Sequence, residues 1–160
     1  MSGARRLKAG ELRDGSRAAV RIALAGNPNC GKTTVFNGYT GARQHVGNYP
    51  GVTVERKEGH LVCNGEPVAL VDLPGAYSLT AYSQEELVAR RELAGDNVQA
   101  VINVADSSAL ERNLLLTVQM LEMGMPVALA CNMMDEARAA GIHIDTERLG
   151  HLLGIPVLPM

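Results

Sequence analysis

The sequence predicts a three-layer α/β fold: a mostly parallel sheet with one antiparallel strand, sandwiched between helices. Three observations carry this expectation. Short apolar runs alternate with helix-length amphipathic stretches across residues 19 to 160. A single Asn64-Gly65 pair separates two apolar runs closely enough to make a hairpin, and so supplies the antiparallel strand. A Gly-rich turn joins the first strand to the first helix, and sheets of this kind bind ligands at the carboxyl ends of their strands.

The first strand is Ala18 to Ala25, followed by the turn Gly26 to Gly31. From Lys32, apolar Val35, Phe36 and Tyr39 recur at helical spacing. Gly41, Gly47, Asn48, Pro50 and Gly51 crowd residues 41 to 51 with turn formers, which predicts a long loop. Val52 to Val62 alternates as a strand, and Val68 to Val71 returns antiparallel to it. Residues 75 to 84 read as loop and Glu85 to Leu93 as helix. Val98 to Ala105 is apolar enough for a buried strand. In Ala109 to Met123, Leu114, Leu115, Val118 and Leu121 form an apolar stripe beside polar Glu111, Asn113 and Gln119. Val127 to Cys131 is a strand and Met134 to Ala140 a short helix. Asp145 to Leu153 is a helix capped by Asp145 or Thr146, and Ile155 to Leu158 is a last strand. Residues 1 to 18 form a basic tail with Arg5, Arg6, Lys8, Arg13 and Arg17 but no apolar core, so they are not a secretory signal. A solvated, frayed tail is the reading; contact with acidic lipid or a neighbouring domain is the alternative.

Composition excludes several functions. The net charge of -2 gives no basic field for nucleic acid, and 3% aromatic residues with no Trp leave no base-stacking surface and an aliphatic core. Cys30, Cys63 and Cys131 make no CxxC pair, and His45, His60, His143 and His151 make no HExxH, so a zinc site is not expected. No run approaches the roughly 20 apolar residues that span a bilayer.

Four segments carry chemistry. Gly26-Asn27-Pro28-Asn29-Cys30-Gly31-Lys32-Thr33 fits GxxxxGK[ST] between a strand and a helix, the phosphate-binding P-loop. Its main-chain N–H groups, through Thr34, would wrap phosphates at the positive end of a helix. Lys32 would reach the β- and γ-phosphates, and Thr33 would place its hydroxyl on magnesium. In Asp72-Leu73-Pro74-Gly75, the carboxylate would hold magnesium and the Gly75 N–H would approach the γ-phosphate. Gly51-Val52-Thr53 ends the long loop, where the Thr53 hydroxyl would touch magnesium and γ-phosphate and release them on hydrolysis. In Asn132-Met133-Met134-Asp135, Asn132 would bond guanine O6 and N7, and Asp135 would accept from N1–H and the 2-amino group. Adenine lacks that donor pair, so guanine nucleotide is the expected ligand; the alternative is a helix cap by Asn132 with an exposed Asp135. Met133 stands where the usual NKxD carries Lys. Together these segments make the fold a P-loop NTPase of the Ras-like kind.

Residues 26 to 59, GNPNCGKTTVFNGYTGARQHVGNYPGVTVERKEG, together with DLPGAYSLTAYSQEE and NMMDEARAAGIHID, resemble the GTPase domain of FeoB-type ferrous-iron transporters. The resemblance runs from about Arg21 to the end. It implies a GTP/GDP-binding domain with Mg2+ that hydrolyses GTP and regulates a membrane permease. Lys32, Thr53, Gly75 and Asn29 would carry the reaction, with Asn29 binding K+ beside the phosphates; the alternative for Asn29 is a turn residue bonding its own backbone. Ala76 occupies the position of the water-orienting Gln of Ras-like proteins, so slow, potassium-stimulated turnover is expected. Cys30 stands at a position that often carries Ser or Ala; inert packing is the reading, and a reactive thiol at a helix N-terminus the alternative. The resemblance further implies a domain truncated before the last guanine-binding loop, a helical spacer and a permease. It implies a cytoplasmic location, at the cytoplasmic face of the inner membrane in the whole protein, and a possible homo-oligomer. The competing classes are a GTPase of tRNA modification or ribosome assembly, and a docking module with negligible turnover.

Overall fold

The fold comes from a computed structural model that describes residues 19–41 and 44–160; the expected basic tail, 1–18, lies outside the described residues. Among the described residues, seven strands and five helices follow in the order β1 (Val20–Gly26), α1 (Lys32–Thr40), β2 (Gln44–Asn48), β3 (Glu55–Cys63), β4 (Glu66–Asp72), α2 (Gln84–Ala94), β5 (Ala100–Asp106), α3 (Leu110–Glu122), β6 (Val127–Asn132), α4 (Met134–Ala139), α5 (Thr146–Leu153) and β7 (Val157–Pro159). One 3-10 turn, Ser107–Ala109, leads into α3.

The strands form one sheet in the order β2-β3-β4-β1-β5-β6-β7. β1 pairs parallel with β4 and β5, and β5, β6 and β7 continue parallel. β3 pairs antiparallel with both β2 and β4, so it alone opposes the rest. Asn64 and Gly65 make the expected hairpin turn, both with positive φ (52° and 84°), the twist that two-residue hairpins need.

Alternation along β1 sends side chains to opposite faces. Ala23 meets Val71, Leu73, Leu93, Val101, Leu116 and Met120 under α2 and α3. Leu24 meets Phe36, Val68, Leu70 and Val104 under α1. Phe36, the only Phe, is fully buried; truncating such a ring costs about 3–5 kcal/mol. The core is mostly aliphatic, as composition predicts, with Tyr49 the other buried aromatic among the described residues.

The structure departs from expectation in two ways, in where strands lie and in which face of a helix is buried. β2 lies within the stretch read as loop. His45 to Asn48 are exposed and carry no alternating apolar pattern. Their extended form comes from ladder bonds to β3, from Gln44↔Gly59 to Asn48↔Glu55, a non-local cause that local periodicity does not report. Likewise β3 starts at Glu55 rather than Val52, because the Tyr49 N–H donates to the Val54 carbonyl (2.9 Å) and closes a loop there.

The second departure is the buried face of α3. It consists of Asn113, Leu116, Thr117 and Met120, while Leu115 and Val118 are exposed. The apolar stripe therefore misjudged the face by part of a turn. Two polar residues pay for their burial with hydrogen bonds: Asn113 accepts from the Asp106 N–H (3.2 Å) and donates to the Ala109 carbonyl (2.9 Å), and Thr117 Oγ1 accepts from Asn103 Nδ2 (2.8 Å).

β1, β4, β5 and β6 end at Gly26, Asp72, Asp106 and Asn132. Parallel register puts these four ends along one edge of the sheet, which is where the motif residues gather.

Candidate functional site

The P-loop leaves β1 at Gly26 and enters α1 at Lys32. Asn29 and Gly31 take left-handed backbone (φ 64° and 86°). The Cys30 N–H returns to the Asn27 carbonyl (3.3 Å), and Val35 N–H to the Gly31 carbonyl (3.1 Å). Asn132 Nδ2 donates to the Cys30 carbonyl at 3.0 Å, across 102 residues of sequence. A methyl group at Gly31 would strike that amide nitrogen, so glycine is required there by both φ and space. Asn132 was expected to read the base; the structure adds a second task, tying the P-loop to the end of β6. No sequence signal announces such a bond.

The chain after β4 runs on alongside β1 into the same loop. Leu73 N–H donates to the Leu24 carbonyl (2.9 Å) and Ala76 N–H to the Gly26 carbonyl (3.1 Å). Gly75 lies so near the P-loop that a Cβ would sit 3.3 Å from Pro28 Cα. Lys32 and Asp72 are both buried and form a direct ion pair.

One cavity of about 350 Å³ is lined by Lys32, Thr33, Thr53, Asp72, Leu73 and Pro74, with Glu55, Lys57 and Glu85. Four segments distant in sequence thus converge, including all three expected magnesium ligands. Thr53 is exposed to this space, on a loop whose Gly51 has φ 75° and whose Val52 is half-buried. Glu55, Lys57 and Glu85 were not anticipated. A hydrogen bond to Glu55 at 2.8 Å, aided by the nearby Asp72 charge, pushes the Lys57 ammonium pKa up.

The remaining expected residues flank this cavity. Asn29 is exposed at the top of the P-loop, and Thr34 is exposed on α1. Met133 has left-handed backbone (φ 59°), and its Cε methyl lies against Gly31. Asp135 is exposed in the first turn of α4. Asn132, Met133 and Asp135 do not line the cavity; Asn132 and Met133 lie against the P-loop at Cys30 and Gly31. Cys30 is 1% exposed, and burial raises its thiol pKa despite nearby Lys32, which favours inert packing over a reactive thiol.

Residues missed by sequence reasoning hold the loop after Gly75. Glu86 accepts from the Tyr82 N–H (3.0 Å) and the Ser78 hydroxyl (3.3 Å), while Ser83 caps α2 by accepting from Glu86 N–H (3.0 Å). The Ser83-x-x-Glu86 spacing is a capping-box signal that could have revealed this. From α3, Gln119 accepts from the Leu79 N–H at 2.7 Å, and Arg112 lies 5.6 Å over the Tyr77 ring.

The three expected magnesium ligands at the cavity, two hydroxyls and a carboxylate, are all oxygen donors and suit Mg2+. Among the described residues no three or more His, Cys, Asp or Glu side chains are grouped so that they could hold a metal ion by themselves. A larger groove, about 1000 Å³ between α3 and α5, contains none of the motif residues.

The family model described as FeoB_N, ferrous iron transport protein B, matches residues 20–160. The Fe(2+) transporter FeoB of Salmonella typhimurium is 52% identical over 144 residues, covering 87% of this chain and 18% of that protein. The chain thus spans under a fifth of the length of such relatives. A mutant of S. thermophilus NFeoB bound to mGDP superposes with TM-score 0.85 at 47% identity, over 89% of this chain and 55% of that one. The G domain of the T. maritima FeoB iron transporter gives TM-score 0.83 at 46% identity, over 89% and 87%. With its P-loop, its sheet order and this agreement along residues 20–160, the chain belongs to the ferrous iron transport protein B family and has the P-loop fold of that family's G domains.

Proposed function

We propose that this chain binds guanine nucleotide with Mg2+, hydrolyses GTP slowly, and serves as the regulatory domain of a ferrous-iron transporter. The observation that carries the reading is the convergence of Lys32, Thr33, Thr53 and Asp72 on one cavity beneath a P-loop. The S. thermophilus relative's binding of mGDP supports guanine nucleotide as the ligand.

The division of labour follows from charge and position. Main-chain N–H groups of residues 26 to 34, Pro28 excepted because it has none, bind the phosphates, and the Lys32 ammonium neutralises charge between the terminal two. Mg2+, when bound, shields the phosphate oxygens; Thr33, Thr53 and Asp72 are the groups that would hold it. Gly75 offers its N–H to the terminal phosphate, and Asn132 and Asp135 select the base. Ala76 is buried and bonded to the P-loop, so it offers no side chain to orient water. That absence favours slow turnover. The exposed Asn29 carboxamide supplies one neutral oxygen suited to K+, a cation that would offset developing charge where no arginine is present.

The regulatory role requires the Thr53 loop and the loop after Gly75 to change with nucleotide state and to act on a permease. Among the described residues no helix is long and apolar enough to cross a membrane, so the permease is a proposed partner, at a membrane's cytoplasmic face.

Calorimetry with Mg·GDP, a Mg-bound non-hydrolysable GTP analogue and Mg·ATP tests the binding reading. Heat with the guanine nucleotides alone supports it, and no heat with either overturns it. Single-turnover hydrolysis in K+ and then Na+ tests the chemistry. Turnover faster in K+ supports the Asn29 role, and no turnover in either salt turns the domain into a nucleotide-dependent docking module.

A further inference from the structure

We propose that Tyr49 is a positioning residue: its ring seats the 49–54 loop on α2 and so holds Thr53 toward the phosphate cavity before nucleotide arrives. This rests on the nucleotide-binding reading above and deepens it.

The neighbours of Tyr49, Asn48 and Pro50, are exposed, yet Tyr49 itself is 4% exposed. Its ring packs with Val54 and with Val88 of α2, and Val52 covers the edge. The loop also closes on itself. Tyr49 N–H donates to the Val54 carbonyl (2.9 Å), Val52 N–H donates to the Tyr49 carbonyl (3.3 Å), and Gly51 takes the left-handed turn between them. These bonds tie residues 49 to 54 together, with an aromatic anchor at Tyr49 and Thr53 exposed to the cavity. Arg56 lies 5.9 Å over the ring and is itself held by Glu58 at 3.1 Å, which braces the anchor from β3.

The anchor has one unfavourable feature. The Tyr49 hydroxyl is buried and has no hydrogen-bond partner among the described residues. A hydroxyl taken from water without a partner opposes burial. The phenol is correspondingly pushed up in pKa, mostly by burial and secondarily by Glu92. Ring contacts hold the seat while the hydroxyl loosens it, which suits a loop that must both hold and release.

The functional consequence is selective. Thr53 can meet the γ-phosphate, which GDP lacks. Ordering the loop in advance removes an entropic cost from triphosphate binding only. The seat should then set discrimination between GTP and GDP without altering the GDP site.

The test uses the full chain and its Tyr49→Ala and Tyr49→Phe variants. Affinities for Mg·GDP and a Mg-bound non-hydrolysable GTP analogue are measured by calorimetry. Hydrogen exchange at the Tyr49 and Val52 amides is measured without nucleotide, with the Val101 and Leu129 amides reporting on the fold. Tyr49→Ala should weaken the analogue about tenfold with GDP within about twofold, and should deprotect Tyr49 and Val52 alone. Tyr49→Phe, which keeps the ring and removes the orphan hydroxyl, should match or exceed the parent for the analogue and protect both amides better. Equal weakening of both nucleotides, no change in either, or a Phe variant that behaves like Ala overturns the positioning role. If the parent chain binds neither nucleotide, the proposed function fails as well, and that result is distinguishable from a parent that binds but does not depend on Tyr49.

Discussion

Lys32 Nζ donates directly to the Asp72 carboxylate, 40 residues away in sequence, with both side chains about nine-tenths buried. Each is the other's partner and each is also an expected ligand, Lys32 for phosphate and Asp72 for magnesium. In the proposed site, phosphate binding would draw Lys32 from Asp72, and the carboxylate would then be free to hold magnesium.

This pair makes an unusual prediction for Asp72→Asn. Removing one partner of a buried pair leaves Lys32 uncompensated, which should destabilise the nucleotide-free chain by about 3 kcal/mol. The same change relieves the repulsion between Asp72 and phosphate when magnesium is absent. GDP affinity in a metal chelator should thus rise at least about tenfold, while the gain on adding Mg2+ shrinks. Calorimetric titration with and without Mg2+ checks this; a variant weakened equally in both conditions contradicts it.

Gly31→Ala tests the tie between the P-loop and β6. The methyl group meets Asn132 Nδ2, and the backbone at φ 86° disfavours any side chain. Relief would require Asn132 to give up the Cys30 carbonyl. Nucleotide binding should be lost, and thermal unfolding should show a stability loss of about 1–3 kcal/mol. Retained binding with an unshifted melting temperature would refute the tie.

Asp135→Ala should erase base selection and spare the phosphate grip, because Asp135 is exposed on α4, away from the cavity. Hydrogen bonds to a charged acceptor are worth about 1.5–3 kcal/mol, so the ratio of GTP to ATP affinity should fall by about 10- to 100-fold. Competition between the two nucleotides measures it. An unchanged ratio removes Asp135 from the guanine site.

The three thiols should separate cleanly under alkylation. Cys63 is exposed, while Cys30 and Cys131 are buried with pKa values raised above the ordinary thiol range. A raised pKa keeps the thiolate scarce at pH 8, and burial blocks the reagent as well. One equivalent of iodoacetamide should enter the folded chain, at Cys63, and three after denaturation. Rapid native labelling of Cys30 would show that the P-loop opens.

Some of this protein was legible from its residues alone. The P-loop turn, the Asn64-Gly65 hairpin, the strands β1, β4 and β6 and the Asp145 cap of α5 are local events. In each, a few neighbouring side chains determine the backbone, so spacing and residue type suffice. The segments of chemistry were legible for the same reason, because phosphate binding requires certain residues at certain intervals.

Tertiary structure alone decided what depends on contacts between distant segments. β2 exists because β3 offers it a ladder, and nothing in Gln44–Asn48 foretells that. The face of α3 was set by Asn103 and by the Asp106 backbone, which supply partners for Thr117 and Asn113 and make burial of polar groups affordable. The Lys32–Asp72 pair, the Asn132–Cys30 bond and the Tyr49 seat are likewise long-range. The sequence by itself determined which groups this chain carries and in what order. Only folding brought them within reach of one another, since hydrogen bonds and ion pairs act over a few ångströms of space regardless of how many residues lie between.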